Sequence, residues 1–294
     1  MLFTVTSLAS GAWPLYVGTY NIRNHNSDDD ARGDRWENRC RVITEQINFE
    51  HPDVFGTQEV LHHQLGDLLD GLDGYGYIGV GRDDGKTAGE YAAIFYDKNR
   101  VALEEEGNFW LSETPDKPGL GWDAACIRIC TWGRFRDLSN DSTFYFFNLH
   151  TDHVGVTARR EAAKLVVNKI GEITGGAPVI LTGDFNVDQN DSTYSIFTDS
   201  GLLVDSYEKA RLRFAENGTF NSFDPDLHTD SRIDHVFVSP GWTVDRYGVL
   251  TNSYWTPVDE AEPEKGRDAP QQIDFKSFDR RLPSDHYPVM VHLK

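Results

Sequence analysis

The chain has 294 residues, 39% of them hydrophobic, and 47 acidic against 28 basic side chains give it a net charge of −19. That balance disfavours extended duplex DNA as a partner, because lysine and arginine that neutralise phosphates supply most non-specific affinity. No repeat or low-complexity linker divides the chain, so one domain over residues 1–294 is expected.

In chain order, apolar or alternating runs predict strands at 15–20, 54–57, 92–96, 143–149, 179–182, 234–238 and 289–293. After the first strand, 36–50 reads as an amphipathic helix that buries Val42, Ile43, Ile47 and Phe49. A second helix spans 157–173, with Ala162, Leu165, Val166, Lys169 and Ile170 on one stripe. A third runs over 192–200 behind Asp191, a residue suited to an N-cap. Polar loops are expected at 24–34, 113–122 and 257–283. Many strands with few helices suggest two packed sheets covered outside by helices.

The stretch 124–132 alternates like a strand and carries Cys126 and Cys130. At strand rise their Cα atoms would lie about 13 Å apart, beyond disulfide reach. All three cysteines are therefore read as free. No apolar run is long enough to span a membrane, and residues 1–12 lack the basic start of a signal peptide. A soluble monomer is expected, either cytoplasmic or exported with its signal removed.

Polar patches follow these strands. Tyr20-Asn21-Ile22-Arg23 and Thr57-Gln58-Glu59 each close an apolar run, and Glu59 reads as a metal carboxylate or as a surface residue in a turn. Gly183-Asp184-Phe185-Asn186 ends the strand at 179–182. Residues two apart on extended backbone point the same way, so Asp184 and Asn186 face one volume; an Asx turn would use the same residues. His150 closes another strand within Asn148-Leu149-His150-Thr151-Asp152-His153. Asp234 sits among apolar residues in Arg232-Ile233-Asp234-His235 and needs a charged partner if buried. Ser284-Asp285-His286-Tyr287-Pro288 precedes the last strand. Hard oxygen ligands at strand ends suit Mg²⁺, and imidazoles beside carboxylates suit proton or charge movement.

Taken in this order, the patches resemble the endonuclease/exonuclease/phosphatase superfamily, which includes pancreatic deoxyribonuclease, apurinic endonucleases, neutral sphingomyelinases, inositol polyphosphate 5-phosphatases and nocturnin-type deadenylases. The likeness extends from Tyr20 to Val291. It implies an α+β fold, a four-layered α/β sandwich with two central, mainly antiparallel sheets flanked by helices. It further implies a phosphoesterase using Mg²⁺, with Mn²⁺ or Ca²⁺ as substitutes. On this resemblance Glu59 holds the metal with Asn21 and Asp285, and Asp184 orients or deprotonates the attacking water. Asn186, His150 and His286 face the phosphate, and Asp234 partners His286. Glu90 falls where relatives place a carboxylate near the second histidine. Arg159, at the start of the helix after His150, is read either as a phosphate-facing cation or as an exposed helix residue.

One departure is visible: the superfamily's usual Asn-Thr-His-Leu-Asp-His appears here with the flanking residues exchanged and both histidines kept. No basic cluster for inositol polyphosphates and no basic loop for a DNA groove is present. Trp36, Trp110, Trp122, Trp132, Tyr91 and Phe220 punctuate the expected rim, and Trp122 is the first choice to stack a base or sugar. The expected substrate is a small or single-stranded phosphoester. A deoxyribonuclease-like or deadenylase-like nuclease is the alternative, and a non-catalytic binding module ranks behind both.

Overall fold

Two mixed sheets form the centre of the computed structural model, which describes residues 14–258, 270, 273 and 277–294. The first contains β1 (Leu15–Asn21), β2 (Val54–Gln58), β3 (Tyr75–Ile78), β4 (Ile94–Asp97), β10 (Leu212–Phe214), β12 (Val244–Val249) and β15 (Val289–Leu293). Their order is β10-β12-β15-β1-β2-β4-β3. The second contains β5 (Val101–Trp110), β6 (Ile129–Asp137), β7 (Thr143–His150), β8 (Val179–Asp184), β9 (Val204–Asp205) and β11 (Asp234–Val238). Its order is β5-β6-β7-β8-β11-β9. Most pairs are antiparallel; β1–β2, β10–β12 and β7–β8 are parallel. A separate ribbon joins β13 (Tyr254–Pro257) to β14 (Phe278–Arg281).

The central strands, β1, β2, β7, β8 and β11, are buried along nearly their whole length because each sheet is covered twice. Val17, Val54, Ile94 and Val289 of the first sheet meet Phe135, Phe146, Ile180 and Val236 of the second in the inner core. The outer face of the first sheet, with Phe55 and Phe95, packs on α2 (Trp36–Glu50) and α3 (His62–Gly71). The outer face of the second, with Phe147, Leu181 and Phe237, packs on α4 (Val156–Thr174) and α5 (Ser192–Thr198). The result is the four-layered α+β sandwich.

The sheets are also joined by polar atoms. Asn148 is fully buried; its Nδ2 donates to the carbonyls of Thr57 and Ala93 at 2.8 and 2.9 Å. Its Oδ1 accepts from Gln58 Nε2 at 2.7 Å and Thr182 Oγ1 at 3.1 Å. Gly56 is required here, because a Cβ at that position would collide with the Asn148 amide and the Thr182 hydroxyl.

Several expectations change. Phe49 is 87% exposed rather than buried, because it lies two residues, about 200° of helix, beyond Ile47. The loop at 24–34 contains α1 (Ser27–Arg32), whose Asn26 cap accepts from the Asp29 amide. Cys126 is not in a strand: β6 starts at Ile129, and the Cys126 N–H donates to Asp152 instead. All three cysteines are free. Asp191 caps α5 through the Thr193 amide, as its sequence suggests. Part of the 257–283 stretch lies outside the described residues, and its described end includes β14. Among the described residues no helix is long and apolar enough to cross a membrane.

Candidate active site

The topology gathers the polar patches at one edge. β1 and β2 run parallel and so do β7 and β8, so Asn21, Glu59, His150 and Asp184 all come at or just after strand C-termini. β11 and β15 are antiparallel to their neighbours in the two sheets, so their N-terminal ends, with Asp234 and the preceding Asp285 and His286, lie at that same edge. Asp234 pairs in register with Asp184, which pairs with His150. Glu59 and Asn186 adopt left-handed backbone, φ +62° and +48°. Such conformations are uncommon outside glycine and cluster at functional sites. Here they break the strands and turn side chains toward the cavity.

That cavity has a volume of about 430 Å³. Glu59, Glu90, His150, Asp184, Asn186, Asp285 and His286 all line it. Asn21 sits beneath, fully buried, and its Nδ2 donates to Glu59 Oε1 at 3.1 Å and Asp184 Oδ2 at 3.0 Å. Glu59 Oε2 accepts from the Asn24 amide at 3.2 Å. Asp184 Oδ1 accepts from the Asn186 amide at 2.9 Å, and Asn186 is tied in turn to the Thr151 carbonyl. Asp234 Oδ2 lies 2.9 Å from His286 Nδ1, which leaves His286 Nε2 toward Asn21 and Asp184.

Burial and charge set the protonation of this cluster. Burial and the nearby Asp234 push the Asp184 carboxyl up to about 7, although His286 opposes them. Burial and Glu59 raise Asp285 against His286 and Arg23. For His286 burial favours the neutral ring, but Asp234 and Asp184 outweigh it and raise the imidazole well above its ordinary range. His150 moves the other way: burial, then Arg128 and Arg82, keep it neutral. The surroundings thus favour the cation at one buried histidine and the neutral ring at the other, each within 4 Å of the same Asp184 oxygen.

Glu59 and Asp184 offer carboxylate oxygens within 4.8 Å of each other, and the His286 ring lies as close but, protonated, has no lone pair to give. With Asp285 beside them, this oxygen-rich set fits a hard divalent cation. The raised carboxyls fit too, since a nearby cation would relieve the cost of ionising them together.

Two expected site residues stand elsewhere. Trp122 packs against the outer core of the second sheet and does not line the cavity. Arg159 donates to the Asp152 carbonyl at 2.9 Å and does not line it either. Among the rim aromatics, Trp36 and Tyr91 are buried in the core under α2 and α3, and Trp110 and Trp132 are also packed. Only Phe220 of that group reaches the cavity.

The sequence reading missed Arg23, Arg82 and Arg128 as cavity residues. Arg128 is buried, 3.4 Å from Asp152 and 3.0 Å from His153 Nδ1. An arginine inside the alternating stretch at 124–132 was the available signal. Asp152, held far down by the Gly155, Ala125, Val154 and Cys126 amides against the effect of burial, anchors it.

Residues 18–286 match the Endonuclease/Exonuclease/phosphatase family, and the chain belongs to it. It is 50% identical to the solved mannosyl-6-phosphatase of Bacteroides thetaiotaomicron, with a TM-score of 0.88 over 95% of this chain and 99% of that one. A family protein from Bacteroides vulgatus is 37% identical, with a TM-score of 0.82 over 96% and 98% of the two chains. The human Nocturnin catalytic domain, 19% identical with a TM-score of 0.67 over 96% of this chain and 93% of that one, shares the fold. The family and its phosphatase member make this chain a phosphoester hydrolase.

Proposed function

We propose that this hydrolase is a divalent-cation-dependent phosphomonoesterase acting on a sugar phosphate; the similar B. thetaiotaomicron protein is named a mannosyl-6-phosphatase. The observation that carries the reading is the convergence of Glu59, Asp184, Asp285 and His286 on one cavity of about 430 Å³, a size suited to a small molecule. The acidic surface, with a net charge of −19, supports a small substrate over a long duplex.

Glu59 and Asp285, with Asn21 behind them, would hold the cation. A bound Mg²⁺ supplies offset of the charge on a phosphate oxygen. Asp184, in the carboxylate form, accepts a proton from the attacking water and fixes its direction. His286 is held in one orientation by Asp234 and donates from Nε2 to the charge that grows on phosphate. Asn186 offers its amide to a phosphoryl oxygen. His150, kept neutral, completes the wall around Asp184 and can donate a hydrogen bond without adding charge. Arg23, 3.4 Å from Asp285, adds a fixed cation at the cavity.

The test is a panel of esters assayed with Mg²⁺ and with EDTA: mannose 6-phosphate, p-nitrophenyl phosphate, bis-p-nitrophenyl phosphate and a single-stranded oligonucleotide. Release of inorganic phosphate from the monoesters with Mg²⁺, and loss of it in EDTA, is expected. Turnover of the diester or the oligonucleotide alone would overturn the reading.

A further inference from the structure

Three arginines line the cavity of a chain with net charge −19, and each is held by different carboxylates. Arg23 pairs with Asp29 and Asp285, and Arg128 with Asp152. Arg82 Nη1 donates to Glu90 Oε2 at 2.6 Å, and Asn24 Nδ2 donates to Glu90 Oε1 at 3.1 Å. His150 Nδ1 is 3.9 Å from Glu90, so the hydrogen-bonding partner of this carboxylate is the arginine and not the histidine. Each Glu90 oxygen keeps a lone pair for a further donor.

Arg82 Nε is buried and makes no hydrogen bond within the described residues, and the Asp83 carboxylate is 3.9 Å from it. Nε itself has almost no accessible surface, so a ligand in the cavity would meet the remainder of the Arg82 guanidinium. The cavity also has an apolar face. Phe220 forms a β-bridge with His286, sets its ring edge-on to that imidazole at 5.1 Å, and stays 36% exposed. Ile233 lines the cavity with it.

Fixed donors and acceptors together with an aromatic face match a pyranose, which carries hydroxyls on its edge and C–H bonds on its face. Resting on the sugar-phosphomonoesterase reading above, we propose that Arg82 and Glu90 bind ring hydroxyls while Phe220 packs on the C–H face. The trio thereby selects sugar phosphomonoesters over plain aryl ones.

The test compares kcat/KM for mannose 6-phosphate and p-nitrophenyl phosphate, with Mg²⁺ throughout. The proteins are wild type, Glu90→Gln, Arg82→Lys, Arg82→Met, Phe220→Leu and Phe220→Ala. The conservative variants cover failure of the larger changes to fold, and thermal melts identify the folded ones. Wild type should favour the sugar ester, and each folded variant of Glu90 or Arg82 should lower the sugar-to-aryl ratio about tenfold or more, because a site built for hydroxyls loses their partners. Phe220→Ala should lower it through KM for the sugar. A ratio unchanged in the folded variants, or a general loss on both esters, would overturn the subsite while leaving the phosphomonoesterase reading in place. A wild-type protein that hydrolyses neither ester would overturn both.

Discussion

Asp184→Asn should stabilise the cation-free protein while removing its activity. The carboxyl is fully enclosed and its pKa rises from an ordinary 3.8 to about 7, through burial and then Asp234. An acid whose folded pKa lies above its unfolded one stabilises the fold below the unfolded value, and that contribution is lost as pH rises through about 7. The shift of about three units corresponds to about 4 kcal/mol of charge burial at pH 8, and to about 1.5 kcal/mol at pH 5. Asparagine carries no charge to bury and keeps an acceptor for one of the two donors, the Asn186 N–H, while its NH2 meets the Asn21 amide group, which offsets part of the gain. For a chain of this length the unfolding entropy is of order 0.6 kcal/mol per degree, so Tm in EDTA should rise by up to about 7 °C at pH 8 and up to about 2–3 °C at pH 5. The assay is calorimetric unfolding of both proteins in EDTA across that range. With Mg²⁺ the wild type should recover the difference, because a cation beside the ionised carboxylates removes their cost. At saturating substrate kcat should fall roughly 10²–10⁴-fold. A mutant that melts below wild type in EDTA at both pH values, with the same dependence on pH, would refute the assignment of strain to this carboxylate.

Glu59→Gln should leave the fold intact and abolish stoichiometric Mg²⁺ binding in titration calorimetry; unchanged affinity would remove Glu59 from the cation site. His286→Ala should lower kcat far more than it raises KM, since its charge matters most as the phosphate gains charge; a change confined to KM would leave it a binding residue only. Asn148→Ala should cost roughly 3 kcal/mol in urea unfolding, because four buried hydrogen-bonding partners lose it at once; a loss below about 1 kcal/mol would mean the two sheets do not depend on it. Asp152 is depressed by backbone amides, so its stabilisation is present above the unfolded value of 3.8 and is lost as pH falls below it. Asp152→Asn should therefore be less stable at pH 7 and lose less stability than wild type between pH 5 and pH 2, and parallel acid profiles would contradict this.

The parts of this fold that were legible in the sequence are those where local pattern and tertiary demand coincide. β7 and β8 are continuous apolar runs because both faces of their sheet are covered, and each ends in a residue that lines the cavity, His150 or Asp184. The cluster was legible for the same reason: a carboxylate directly after a buried strand must leave the core at its edge. β5 was not legible, since Glu104, Glu105 and Glu106 at the centre of this edge strand are all exposed and its register with β6 shifts there, so alternation fails. Phe49 misled because an aromatic near an apolar stripe was counted as part of it, although two residues along a helix face nearly the other way. Trp122 was chosen for its ring, and its ring is what the outer core under α4 takes up. The cavity arginines were not legible because each stands singly in its own segment, with no cluster or spacing to mark it. Yet an acidic cavity that must receive a phosphate needs fixed cations beside its carboxylates, and only the fold brings Arg23, Arg82 and Arg128 from three separate segments to one cavity. Their carboxylate partners hold them still, so their side-chain entropy is lost on folding and not again when an anion binds.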